Sequence, residues 1–543
     1  MKTKFRYLLL VALLSSCGGA KDSSSPSESS NFSEDNNSSQ FESSSSFESS
    51  SASSEESSSS NSSEVSSSSE ANSSSSSSVS SSSSQMTDSS SSSVTPVEPN
   101  KPIHNEKNMT HFLGSDGDLY RINITTKDQV FPYDKENYIN GSVTVTEQNS
   151  NVVINDAMSM KIKLRGNSTM DADKKPFKIK FDEKQSLFGL TKAKNWVLLA
   201  NYYDKSNIRN YLAYLTANKL TNLDFQPSSI FVDVYFNNEY YGMFLLCEQM
   251  EAKKGRVDIE DNISSKGISS FFIEADERAQ SEYKGFAGSC YITSGRYDFA
   301  LKSPDADDYV DAYQTYHNEE ESEKNRQKAL TTMNEFQTNA DWLKNFMDGV
   351  SESIYDLHDY DDFIDVGSFI DYYLVEEFFK NVDVGSTSQF YYIDQADKKV
   401  KLKAGPVWDF DIAAGVIRNK TPEQIYYSYT VNNFFMASRD YYYNALFKDH
   451  HFFDMVAERY TEVRDDVFVS VFDEIETVTK ILEKAQDRNL KRWPLTKERK
   501  TWIEQFAYDD EYVNISTLQG HYELVETFLQ ERLKVFDQHF NIN

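Results

Sequence analysis

Three aspartates in the chain have the spacing of a cation site. Asp383 lies within FFKNVDVGSTSQFYYI (378–393), and Asp409 and Asp411 end VKLKAGPVWDFD (400–411). Phe390, Tyr391, Tyr392 and Ile393 form one strand-like segment. Val400, Leu402 and Val407 belong to the next, with Asp394-Gln395-Ala396-Asp397 as the turn between them. A hairpin of this kind brings Asp383, ahead of its first strand, and Asp409, after its second, to the same end. Carboxylates gathered there repel one another unless a cation offsets them, and a hard divalent ion such as Mg2+ takes oxygen ligands. Phosphoryl transfer uses such a site: a cation against the phosphates, a carboxylate-held metal, and a carboxylate that orients or deprotonates the attacking hydroxyl. Lys178 and Lys180, on one face of a strand, would supply the first. Asp409 with Asp411 would supply the second, and Asp383 the third. The residues alone leave other chemistries open. Asp-x-Asp pairs also serve metal-dependent glycosyltransferases and hydrolases, and alternating lysines also mark the wet face of a strand.

The elements that must position these residues divide the chain by period. From Tyr120 to about 300 apolar residues alternate with polar ones: Val143 and Val145; Met160, Ile162 and Leu164; Phe177, Ile179 and Phe181. RGNST (165–169) is a polar turn between two of these strands. FVDVYF (231–236) and YYGMFLLCEQM (240–250) read as a hairpin through Asn237-Asn238. One helix interrupts the strands, with Asp204 as its N-cap and Ile208, Tyr211, Leu212 and Leu215 on its inner face. From about 325 the spacing predicts helices near 325–350, 367–381, 441–447, 451–467, 470–489 and 519–540; in the last, Leu524, Phe528, Leu529, Leu533 and Phe536 form one stripe. The expected fold is therefore α+β and two-lobed, with a strand-rich N-terminal lobe (about 101–325) and a mostly helical C-terminal lobe (about 326–543).

The first sixteen residues read as an export signal: Lys2, Lys4 and Arg6 precede the apolar run Tyr7–Leu14, too short to span a bilayer. Cys17, straight after Ser15 and Ser16, resembles the lipobox cysteine of bacterial lipoproteins, which becomes a lipidated N-terminus; an ordinary secretory peptide is the alternative. Residues 17–100 follow as an acidic serine-rich linker, expected to be disordered because it has almost nothing apolar to bury. Residues 22–95 hold eleven acids and no base, in a chain of formal charge −30. A linker of this kind spans about 45–50 Å when relaxed. The remainder is also acidic, which argues against nucleic acid or anionic lipid as its main partner. Cys247 and Cys290 are the other cysteines, and an exported protein could pair them or simply bury both. The chain has no H-E-x-x-H, G-x-S-x-G or C-x-x-C string, so zincin, serine-hydrolase and zinc-ribbon readings lack support. His450-His451 reads as a surface pair, and the acid-rich stretches 304–323 and 356–365 as solvated faces.

Six blocks, in order over about 430 residues, resemble the CotH kinase family, the spore coat protein H group of atypical protein-kinase-like proteins. They are RGNST with KKPFKIKF (174–181); NWVLLANYYDKSNIRN (195–210); YYGMFLLCEQME (240–251) with GRVDIE (255–260); FIDYYLVEEFFKNVD (369–383) and GPVWDFD (405–411); AQDRNLKRWP (485–494); and the final helix ending ERLKVFDQHF. The resemblance implies an atypical protein-kinase-like fold using ATP and Mg2+, with Asp383 as the catalytic aspartate and Asp409 as the principal metal ligand. Asp411, Lys178, Lys180 and Arg165 are its weaker transfers. Glu248 either faces the cleft or sits in a structural ion pair. Arg209 and Asn210 are expected to brace their helix, and Trp196, Trp408 and Trp493 to be core aromatics.

The chain departs from ordinary kinases in having neither a Gly-rich G-x-G-x-x-G loop nor a Walker A string; RGNST is the candidate phosphate-holding loop. Ser388 stands five residues after Asp383, where kinases place a metal-binding Asn, with Gln389 beside it; a hydroxyl is the weaker metal partner.

The N-terminal signal and Cys17 point to a lipid-anchored exported protein, periplasmic or on the cell surface, and the family resemblance implies that it phosphorylates hydroxyls of a protein. Ser-rich polypeptides, this chain's own 22–95 included, are candidate substrates. A non-catalytic surface scaffold and a nucleotidyl-transferring enzyme are the alternatives that fold alone does not separate.

Overall fold

The computed structural model describes residues 105–150, 152–259, 267–418 and 430–542. The export signal, Cys17 and the serine-rich linker lie outside the described residues.

Seven strands, β1 (Arg121–Thr126), β2 (Ile139–Thr146), β3 (Val153–Leu164), β4 (Phe177–Gln185), β5 (Ala193–Leu199), β6 (Ser229–Phe236) and β7 (Glu239–Glu248), close into a barrel in the order β1-β2-β3-β4-β5-β7-β6. All neighbours are antiparallel except β1 and β6, whose parallel pairing seals the barrel. The period-2 alternation explains the closure. Ile122, Ile124, Val143, Val145, Ile162, Phe177 and Ile179 are buried, while the residues between them are half-buried or exposed. Helix α1 (Arg209–Asn218) follows β5 and has all ten residues buried. It begins later than its sequence suggests. Asp204 is not its N-cap but organises the preceding turn, accepting from Ser206 N at 2.9 Å and Arg209 N at 2.8 Å.

A second, five-stranded antiparallel sheet has the order β12-β11-β8-β10-β9: β8 (Phe271–Ala275), β9 (Tyr291–Ser294), β10 (Tyr297–Ser303), β11 (Gln389–Ile393) and β12 (Leu402–Ala404). The aspartate hairpin forms as expected, with Tyr391 opposite Ala404 and Ile393 opposite Leu402. Its other neighbour is β8, in the register Tyr391 to Ile273. That pairing crosses the division expected near 325, because backbone hydrogen bonds tie β8–β10 to the hairpin and not to the barrel. The helices around this sheet are α2 (Ala306–His317), α3 (Glu323–Asp356), α4 (Val366–Phe379), α5 (Tyr441–Leu446), α6 (His450–Val463), α7 (Ser470–Arg492) and α8 (Leu518–His539), with several single turns. Six of the seven match predicted spans. The exception, α2, lies within an acid-rich stretch read as a solvated face; it is a helix that buries only Ala306 and Ala312.

The closing motif AQDRNLKRWP fastens α7 to the barrel. Asn489 Oδ1 accepts from Met243 N at 3.1 Å, Trp493 Nε1 donates to Tyr241 O at 2.6 Å, and Arg488 pairs with Asp118 and Asp233. Gly242, at φ +150°, permits this approach: a Cβ there would stand 2.9 Å from Trp493 Nε1. Cys247 and Cys290 are buried and free, and among the described residues no helix is long and apolar enough to cross a membrane.

Candidate active site

Helix α4 ends where Lys380 turns into the left-handed region, at φ +50°, and the chain then runs through Asp383 toward β11. Asn381 ties this run to the segment beyond β12: its Oδ1 accepts from Asp383 N at 3.3 Å and its Nδ2 donates to Trp408 O at 3.2 Å. Helix α1 holds the other side. Asn210 Oδ1 accepts from Phe410 N at 2.7 Å, and the Tyr214 ring stacks on Trp408 with centroids 5.4 Å apart. Arg209, paired with Asp204, donates from Nε to Ala413 O at 3.0 Å and from Nη2 to Ala414 O at 3.0 Å. Arg209 and Asn210 therefore brace the Asp409–Ala414 loop. Within it Asp409 has φ +67°, a conformation that a non-glycine residue keeps only when its surroundings enforce it.

The three aspartates are brought together. Burial is the largest influence on each, and all three have raised proton affinity. Asp383 is pushed up to about 8, first by burial and then by Asp409, with Arg278 opposing. Asp411 is raised well above the carboxylate range by burial, then by Asp409 and Asp383. Asp409 is raised by burial, opposed by Arg165 and Arg278. Buried carboxylates that repel one another fit an oxygen-seeking cation. Among the described residues no group of three or more His, Cys, Asp and Glu side chains is disposed to hold a metal by itself.

The other candidate residues divide. Arg165 lies over Trp408, its guanidinium carbon 5.4 Å from the ring centroid, and acts electrostatically on both Asp409 and Asp411. RGNST turns at Gly166 (φ +86°), where a Cβ would meet Thr169 Oγ1 at 2.1 Å. Lys178 and Lys180 are half-buried on the outer face of β4, and Arg165 is among the charges acting on Lys178. Glu248 is engaged elsewhere, buried in a 2.7 Å ion pair with Arg256 and accepting from Ser228 N at 3.0 Å. Ser388, at φ +57°, donates its backbone N–H to Glu274 Oε1 at 3.2 Å. Gln389 is committed to Tyr391, Asp440 and Gly385. Trp196 is fully buried, whereas Trp493 is only partly so.

The family model described as CotH kinase protein matches residues 162–536. The chain belongs to the CotH kinase family. No curated protein matches it. Membership makes this a kinase-like protein and implies nucleotide use.

In this member of the family the sequence reading missed EADER (274–278), at the end of β8. Arg278 forks onto Asp276, Nε to Oδ1 at 2.7 Å and Nη2 to Oδ2 at 2.9 Å, and Nη2 also donates to Thr387 Oγ1 at 2.5 Å. Glu277 N donates to Ser386 O at 2.9 Å, and Glu274 Oε2 is paired with Lys302 at 2.7 Å. Together with the Glu274–Ser388 bond, these contacts clamp the Asp383–Ser388 loop from one side. A signal existed, since a fully buried strand ends in five residues with four charges. The pairing of β8 with β11, which gives that signal its meaning, is not local.

Proposed function

We propose that this CotH kinase is an exported, lipid-anchored enzyme that transfers the γ-phosphoryl group of ATP to hydroxyls of a protein, with Mg2+ as cofactor. The observation that carries the reading is the convergence of Asp383, Asp409 and Asp411, buried and mutually repelling, between the guanidinium groups of Arg165 and Arg278. Asp409, with Asp411, would hold Mg2+; bound there with the nucleotide, the ion would neutralise phosphate charge. Asp383 accepts the proton of the acceptor hydroxyl as its oxygen bonds to the γ-phosphorus and the bond to the ADP oxygen breaks. Its raised proton affinity suits a base, and a cation on Asp409 would bring it down toward the ordinary carboxylate range. Arg165, and one of Lys178 and Lys180, would meet phosphate oxygens; Ser388 is the remaining candidate for a second ion. Cys17 would carry the lipid, placing the enzyme in the periplasm or on the cell surface.

The test is transfer of labelled γ-phosphate to a serine-containing polypeptide by the purified protein. Asp383→Asn should lower the rate by about 10²–10⁴, the usual worth of positioned acid–base help, while nucleotide binding persists. Equal rates in parent and variant would remove Asp383 from the chemistry. Nucleotide binding without transfer to any acceptor would favour the scaffold reading, and transfer of label from the α-phosphate would favour nucleotidylation.

A further inference from the structure

The outer face of β3 and β4 carries a concentration of positive charge that the fold does not balance. Lys161, Lys163, Lys178 and Lys180 stand together on this face, in a chain whose formal charge is −30. The strand register sets Lys161 opposite Lys180 and Lys163 opposite Lys178. Like charges directly opposite on an antiparallel pair are destabilising, because their Cβ atoms stand about 4.5–5.5 Å apart. Here two such pairs are stacked about 7 Å apart along the strands. All four lysines are half-buried. Among the described residues none makes an ion pair or hydrogen bond; Lys161 and Lys163 only lie over the Tyr138 ring, each Nζ 4.8 Å from its centroid. Of nearby acids, Glu251 and Asp305 act on Lys178 only from a distance, Asp134 acts on Lys163 in the same way while its oxygens accept from Asn137, and Glu251 Oε2 is taken by Asn195 Nδ2 at 2.7 Å.

The row begins at the aspartate cluster. Arg165 follows β3 directly and lies over Trp408, beside Asp409. Lys163 and Lys178 come next, then Lys161 and Lys180, so the basic face runs about 13 Å away from the reacting end. Arg165 and one of Lys178 and Lys180 suffice for a nucleotide's phosphates, which leaves Lys161 and Lys163 without that role. The lysine pairs follow one another in line along the two strands, an arrangement that matches an extended chain laid along them.

We propose that the β3–β4 face, with Lys161 and Lys163 as its outer contacts, is a docking site for an acidic stretch of the polypeptide substrate. Carboxylates of an extended peptide would neutralise the paired lysines, while the surrounding acidic surface repels the same peptide everywhere else. That the docked peptide is a phosphate acceptor rests on the phosphotransfer reading; its binding does not.

The test is fluorescence anisotropy of a labelled 15-residue Ser-Ser-Glu repeat with the full chain. Saturable binding is expected, weakening as salt is raised and not displaced by Mg-ATP. Lys161→Glu with Lys163→Glu should weaken it roughly tenfold. Lys161→Gln, checked for an unchanged melting temperature, is the milder second variant and should weaken it measurably. Equal binding of a Ser-Ser-Lys repeat, complete displacement by ATP, or indifference to both lysine variants would each overturn the docking site. So would lysine-dependent binding to vesicles containing phosphatidylglycerol with none to the acidic peptide. Peptide binding that persists in a protein showing no transfer would refute the kinase reading and leave the docking site standing.

Discussion

Asp409 is held in the left-handed region, where a non-glycine residue costs of order 1–3 kcal/mol, and Arg209, Asn210 and Tyr214 of α1 brace the segment around it. Neighbouring groups enforce that backbone because the carboxylate must face Asp383. Arg278 does comparable work on the other side: it touches Thr387, and its charge lowers the proton affinity of both Asp383 and Asp409. Arg278→Ala should therefore cut transfer by roughly 10–100-fold, the usual effect of losing a residue that orients a metal or catalytic group. It should also speed amide exchange at Ser386–Ser388, which a purely electrostatic role would not change. Unchanged exchange would show that the loop holds itself. Asp383 and Asp409 were legible in the sequence because short apolar segments flank them at hairpin spacing. Arg278 was not, because charged residues after a strand ordinarily mark a turn to solvent. Glu248 shows the opposite limit: a strand motif did not reveal that Arg256, eight residues on, takes up its charge.

At the scale of elements, α1 is where stability and site geometry meet. Its Arg209 is fully buried against Asp204 and caps two carbonyls of the aspartate loop. Breaking a buried pair by removing one partner strands the other charge, at a cost of about 3–5 kcal/mol. Arg209→Ala should thus lower the unfolding free energy from urea titration by that amount and also loosen the loop around Asp409, seen as weaker nucleotide binding in the fraction still folded. A change under about 1 kcal/mol would mean that Asp204 finds another partner. The strong helices and the hairpin were legible because each has its own period. The ends of α1 were not, since the turn at Asp204–Asn207 uses the same residue types as an N-cap. Helix α2 was missed because its stripe of Ala306, Tyr309, Val310 and Tyr313 is interrupted by Asp307, Asp308 and Asp311, which read as a solvated face.

At the scale of the whole molecule, sequence patterning indicated strands followed by helices but not how they join. Barrel closure through β1 and β6, and the sheet that unites β8–β10 with the hairpin, are long-range pairings with no local signature. The C-terminal helices lock this assembly, and one histidine among them makes it acid-sensitive. Burial holds His521 down at about 4, against 6.5 for a free imidazole, with Arg209 and Lys205 nearby and Asp204 opposing. Between those values the unfolded chain binds the proton and the folded one does not. The stabilisation is therefore complete above about pH 6.5 and is lost as the pH falls toward 4, by on the order of 3 kcal/mol. Urea midpoints across that window should show this slope, and His521→Gln should flatten it; an identical slope in the variant would assign it to other groups. The central claim is a working nucleotide site built on Asp409, and its most direct test is calorimetric titration of ATP into the full chain, with and without Mg2+, against Asp409→Ala. Saturable binding that requires both Mg2+ and Asp409 is the predicted result. Binding that persists without either, or no binding under any condition, would contradict it.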